Sequence, residues 1–247
     1  KEYPLALTAA SNGITDVSGD WMTSHGTSYN QDMSLYFSFI QDDRVGYMIA
    51  QGAYLPSILD PASATSRGNT KTDETARFND IYLDDPTDIG TLILNHTAMW
   101  AADASFALAT ASETHLIMAE VNARNNADLA AVDHLNAVRA ILIAKYSTGT
   151  YDDYVLTDFT PITGVADKGK GSVSANLMYE IIEEKYASLV GQIEAFNDVR
   201  RTDNLIGLTP KGANGIPQRF FYPQDELNAN VNAPAAVSLF IKTAVNN

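Results

Sequence analysis

The chain has no cysteine, which excludes a disulfide framework and any thiolate-held metal or cluster. It is also poor in cations: 16 Lys and Arg stand against 30 Asp and Glu, a formal charge of −14 over 247 residues. A nucleic-acid surface needs clustered Lys and Arg, and anionic lipid head groups attract the same residues, so neither partner fits this balance. No apolar run approaches the roughly 20 residues of a helical membrane span. The phosphate loops G-x-x-x-x-G-K-[ST] and G-x-G-x-x-G are missing, as is the G-x-S-x-G elbow of serine hydrolases. The four histidines, His25, His96, His115 and His134, lie far apart and make no H-E-x-x-H pair. His115 and His134 read as packing or surface residues. Lys1 opens the chain without a Met or a signal-like segment, which points to processing or to a fragment.

What is present is ordinary for a globular protein: apolar residues reach 45%, and the length is enough for a full core in one or two domains. Residues 1 to about 100 are turn-rich. "AASNGITDVSGDWMTSHGTSYNQDMS" scatters Gly, Ser, Asn and Asp. "MSLYFSFI" and "DDRVGYMIAQGAYL" are short apolar runs open to helix or strand, and "PSILDPASATSRGNTKTDETARFND" reads as a further loop. "YLDDPTD" gathers Asp84, Asp85 and Asp88. A solvated turn is the first reading and a calcium site the second, although the spacing is not that of an EF-hand.

Aromatics are the better lead to function. Trp21, Tyr29, Tyr36, Tyr47, Tyr54, Tyr82 and Trp100 all fall in this irregular part. A sugar ring stacks its C–H face on an aromatic, while its hydroxyls need Asn, Asp, Gln or Arg. "GDWMTSHGTSYNQD" offers both kinds of group. The candidate ligand residues are therefore Trp21, Tyr29, Asn30, Tyr47 and Tyr54, with Trp21 and Tyr29 preferred. The competing role for each ring is to anchor a loop on the helices. No catalytic residue, metal or cofactor is assigned.

Residues 101–247 are predicted to be helical, ending in a clasp. Ser112 precedes "ETHLIMAEVNARN", where Leu116, Ile117, Glu120 and Val121 share a face. Asp128 is a candidate N-cap for "LAAVDHLNAVRAILIAKY", with a stripe of Leu129, Val132, Leu135, Val138, Ile141 and Leu142. The short "NNA" makes these two an antiparallel hairpin, and Ala119, Ala123, Ala131 and Ala137 permit close approach. It resembles one tetratricopeptide-type pair, with no second copy evident. Residues 146–172 read as a polar connection. A third long helix, capped by Ser174 or Asn176, carries Leu177, Ile181, Ile182, Leu189, Ile193 and Phe196 and ends at Arg200 and Arg201. Gly191 marks a close contact or a break in it. The closing "PQRFFYPQDELNAN", too rich in Pro and polar groups for a helix or strand, is expected to seal the helix bundle. Phe220, Phe221 and Tyr222 would supply the apolar contact, while Arg219 and Glu226 pair with the helix end.

Four segments carry a family resemblance: "DDRVGYMI", "ASETHLIMAEVNARN", "AVDHLNAVRA", and "EKYASLVGQIEAFNDVRRT" followed by "GIPQRFFYPQDELNAN". In this order, over about residues 40 to 232, they resemble the C-terminal half of SusD/RagB-type outer-membrane nutrient-binding lipoproteins of Bacteroidetes. Family members are roughly twice this length, with a lipidated N-terminal Cys that this chain does not carry. The resemblance implies a mainly α SusD-like fold with tetratricopeptide-like helix pairs and a loop-rich ligand face, all of 1–247 forming one portion of such a domain. It implies non-enzymatic capture of oligosaccharides at the cell surface, as a lid on a SusC-type TonB-dependent transporter in the outer membrane, with the membrane reached only through a lipid anchor. Peptide capture on the same scaffold, a helical glycosidase using paired carboxylates, and a pure interaction scaffold remain alternatives.

Overall fold

The computed structural model describes residues 2–88, 90–210, 214–233 and 238–244. The described residues are largely helical, and the chain divides into two compact units, one ending at Ser188 and one beginning at Leu189.

In the first unit, α1 (Tyr3–Ser11) lies against α5 (Ala111–Arg124). Between them come β1 (Trp21–Met22), α2 (Leu35–Phe37), α3 (Tyr54–Leu59), α4 (Thr75–Ile81), β2 (Tyr82–Asp84), β3 (Leu92–Leu94) and β4 (Ala107–Ala109). Two small antiparallel ladders tie this part together: β1 with β4 through Trp21–Ala109, and β2 with β3 through Leu83–Ile93. The open choice at "MSLYFSFI" resolves to helix, since α2 runs into one wide helical turn over Ser38–Asp43. The expected loop after Pro56 is a correction, because it contains the rest of α3 and all but the last residue of α4. Pro56 is accommodated because it sits in the first turn of α3, where a backbone N–H has no intrahelical partner.

The α5–α6 hairpin (α6, Asp128–Lys145) is the centre of this unit. Thr110 caps α5: its side chain accepts from the Glu113 N–H at 3.1 Å. Glu113 in the first turn and Arg124 in the last complement the helix dipole. Asn126 adopts φ 59°, a left-handed turn that Asn tolerates, and so lets the chain reverse within three residues. Asp128 is already the first helical residue and accepts from the Ser174 hydroxyl instead of capping its own helix. Leu116, Leu135 and Val138 are fully buried with Ala119 and Ala131, joined by Leu177 and Ile181 of α7 (Val173–Ser188). Leu129 departs from the expected stripe and is 70% exposed, because one step at the helix start turns it off the core face.

Two further expectations are corrected. The connection 146–172 contributes Tyr146, Tyr151, Tyr154, Phe159 and Ala166 to the same core. Its backbone is bound by core amides: Asn136 exchanges bonds with Tyr154 O and N, both 2.9 Å, and Asn176 donates to Phe159 O at 2.9 Å. Asn176 is thus a buried brace and not a cap; Ser172 accepts from the Ala175 N–H at 3.2 Å in the capping position. The third long helix is really two. α7 stops at Ser188 and α8 (Ile193–Arg201) begins after Gly191, whose φ of 80° only glycine adopts freely.

The second unit holds α8 and the short α9 (Gln224–Ala229), which lies inside the stretch read as neither helix nor strand. Arg200 donates to Gln218 O at 2.6 Å, and its guanidinium lies 4.4 Å from the Phe196 ring, which meets Phe220 at 5.6 Å. The helix end therefore grips the backbone of the closing stretch. The expected pairing through Arg219 and Glu226 does not form: Glu226 accepts from Asn230, and Arg219 Nε has no partner. Phe220, Phe221 and Tyr222 are exposed, Phe221 by 77%, so the three rings are not the buried apolar seal that was expected.

Candidate functional site

The seven Trp and Tyr residues singled out in the first hundred residues separate into two groups. Trp100 is buried and donates its indole N–H to Ile81 O at 3.0 Å, and Tyr36 packs on it with ring centroids 4.8 Å apart. Tyr82 is buried. Tyr54 is also spent on structure: its hydroxyl donates to Glu183 Oε1 at 3.0 Å and its ring meets Tyr186 edge-on. Burial and the Glu183 charge push the Tyr54 hydroxyl pKa far up, so it stays a neutral donor.

Trp21, Tyr29 and Tyr47 form the other group, exposed by 65%, 48% and 77%. Trp21 is presented by the β1–β4 ladder. That ladder is anchored at both ends, with Asp20 accepting from the Ala111 N–H at 2.7 Å and Thr23 bonded to the Phe106 backbone on both sides. Tyr29 is aimed by its hydroxyl, which donates to Asp43 Oδ1 at 2.9 Å; Ser38 donates to Asp43 Oδ2, also at 2.9 Å. These two donors, Ser38 first, hold the Asp43 carboxyl below its ordinary range, and the bond to Asp43 raises the Tyr29 pKa. Arg44 closes the turn by donating to Asp43 O at 2.8 Å, and the Tyr47 N–H donates to Arg44 O at 3.0 Å. Asn30, exposed and left-handed at φ 57°, directly follows Tyr29. Tyr29 and, through Arg44, Tyr47 therefore belong to one hydrogen-bonded loop system around Asp43, with Asn30 next to Tyr29 in the chain. Among the described residues, no hydrogen bond or ring contact joins Trp21 to it. Tyr54 lies apart from these rings in bonding and role.

Beneath α3 and α4 lies a buried ion network that the sequence reading missed. Arg67 contacts Glu180 at 2.5 Å and Glu184 at 2.7 Å; Arg77 contacts Glu184 at 3.0 Å. Lys168 reaches Glu180 at 2.7 Å and Glu183 at 2.8 Å, and Glu74 accepts from the Tyr151 hydroxyl at 2.7 Å. Burial opposes the Arg67 charge, but Glu180, Glu184, Glu74 and Glu183 more than offset it, so its pKa stands well above normal. Burial likewise disfavours the Glu180 and Glu184 carboxylates. The cations win there too: Arg67 and Lys168 lower the Glu180 pKa, and Arg77 with Arg67 lowers that of Glu184. The network fastens the loop-rich part to α7. Its only sequence signal is on α7, where Glu180, Glu183 and Glu184 fall at i, i+3, i+4 beside the apolar Leu177 and Ile181. Arg67 and Arg77 lie more than a hundred residues upstream, Lys168 stands in the connection just before α7, and the three follow no pattern.

Two other acidic and imidazole groups are placed plainly. Asp85 accepts from both the N–H and the hydroxyl of Thr87, and Asp88 accepts from Thr91, as in a self-satisfied turn. His115 and His134, distant in sequence, are brought ring to ring across the hairpin, correcting the reading of four separate histidines.

No protein-family model matches the chain, and no curated protein matches it.

Proposed function

We propose that this chain belongs to a non-enzymatic capture protein for oligosaccharides. In this reading it is a SusD-like scaffold with a tetratricopeptide-like α5–α6 pair, held at the outer-membrane surface by a lipid anchor and delivering its ligand to a SusC-type TonB-dependent transporter. The resemblance over residues 40 to 232 supplies the class. The observation that carries the ligand type is the division among the aromatics: four rings are consumed by packing or buried bonds, while Trp21 stays open on the β1–β4 ladder and Tyr29 and Tyr47 stay open on the Asp43 loop with Asn30. An open ring backed by ordered polar groups suits the alternating C–H and hydroxyl faces of a sugar. A neutral glycan is also indifferent to a charge of −14 that repels anions.

A glycosidase needs one carboxyl kept protonated near neutrality. On α7, Glu180 and Glu184 are instead held below the ordinary carboxylate range, Arg67, Lys168 and Arg77 outweighing their burial, which supports a structural role for them. The test is a glycan and peptide array, followed by calorimetry of the best ligand on Trp21→Ala and Tyr29→Ala in the full-length protein. Loss of affinity by either variant is expected. Wild-type affinity in both makes the rings loop anchors and moves the site elsewhere, and peptide binding alone replaces the glycan assignment.

A further inference from the structure

His115 on α5 and His134 on α6 meet across the hairpin with Nδ1 to Nδ1 at 3.2 Å, ring planes inclined by 38°. On its far side, His115 Nε2 stands 3.2 Å from the carbonyl oxygen of Thr15. A carbonyl oxygen only accepts, so Nε2 carries the hydrogen. In the neutral ring Nδ1 then carries a lone pair, and that lone pair faces His134. With nothing else bound, His134 Nδ1–H donates to it.

We propose that His115 and His134 form a two-imidazole site for a divalent late transition-metal ion, zinc foremost, with water in the remaining positions. Two nitrogens each about 2.0–2.1 Å from zinc at a tetrahedral angle stand about 3.3 Å apart, and the pair is already at 3.2 Å. The Thr15 carbonyl on Nε2–H is the kind of outer partner that fixes a ligating histidine's tautomer and orientation. Both rings are carried by helices whose adjoining residues Leu116 and Leu135 are fully buried, so the site is held by rigid elements. Ion entry replaces the proton on His134 Nδ1, which passes through solvent to Nε2; both rings stay neutral and no net proton is released. Burial, and next the neighbouring His115, lower the His134 pKa and favour that neutral form, against the smaller opposing effect of Asp133. Among the described residues no group of three His, Cys, Asp or Glu gathers around an ion position. The site is thus an open one with exchangeable water, and calcium and magnesium, which want oxygen ligands, do not suit it.

The experiment is titration of the full chain with Zn2+ at pH 7.5, followed by calorimetry, thermal melting and the imidazole C–H resonances. One equivalent is expected to shift His115 and His134 first and to raise the melting temperature by bridging α5 to α6. His115→Gln and His134→Gln are each expected to weaken binding by about tenfold or more and to abolish the thermal shift, with Ca2+ inert throughout. Zn2+ that moves only His25 and His96, or that binds both Gln variants as tightly as the parent, overturns the proposal. If a variant fails to fold, the resonance order in the parent protein decides.

Discussion

Arg67→Met tests the buried ion network most directly. The substitution keeps a long apolar stem and removes a guanidinium whose side chain is 1% exposed and lies within 3.5 Å of Glu74, Glu180, Glu183 and Glu184. Glu180 keeps Lys168 and Glu184 keeps Arg77, so the carboxylates lose part of their compensation and not all of it. Breaking a buried pair from one side costs about 3–5 kcal/mol, and with about 2–4 °C of melting temperature per kcal/mol in a chain of this length the midpoint should fall by roughly 6–20 °C. The pH dependence identifies the cause. In the parent, Glu180 and Glu184 titrate below their ordinary value, so their contribution is present above about pH 4.5 and is lost as pH falls through the lowered folded-state values. In the variant these carboxylates, each left with one cation fewer, titrate higher than in the parent, and acid neutralises the charge that destabilises it. The deficit measured by urea denaturation at pH 7.5 should therefore shrink at pH 4.5. Adding Glu180→Gln to Arg67→Met should cost less than the sum of the two single changes. A variant within 1 kcal/mol of the parent at pH 7.5, or a deficit unchanged at pH 4.5, would refute the reasoning.

Other changes have equally definite outcomes. Leu135→Asp puts an unpaired charge at a fully buried hairpin position and should abolish the cooperative folding transition seen by circular dichroism; a folded variant of parental stability would show that the stripe does not face the core. Phe221→Ala removes an exposed ring and should change stability by no more than about 0.5 kcal/mol in denaturant titration. Arg200→Ala, by contrast, deletes the donor to Gln218 O and the cation over Phe196, and should cost roughly 1–3 kcal/mol in the second unit. Without metal, the lowered His134 pKa means the folded state binds a proton less readily than the unfolded chain. Stability should decline as pH falls below about 6.5, and His134→Gln should flatten that decline in melting curves taken from pH 7.5 to 5.5.

The sequence by itself determined the helical hairpin, because a period of three to four residues in Leu116, Val132, Leu135, Val138 and Leu142 is a local property that survives into the core. The composition likewise carried the acidic balance and the concentration of aromatics before residue 101. Only the tertiary structure decided which aromatics are open. Trp21 and Trp100 are chemically alike, yet one is presented by a short ladder and the other is covered by Tyr36 and bonded to Ile81. The Arg67–Glu184 contact and the facing of His115 with His134 join residues 117 and 19 positions apart. Such pairs leave no periodic trace, because a hydrogen bond fixes distance in space and is indifferent to separation along the chain. The connection 146–172 looked like solvated loop because its polar residues outnumber its aromatics. It is core because Asn136, Arg139 and Asn176 satisfy its backbone from within, and that satisfaction allows Tyr151, Tyr154 and Phe159 to be buried.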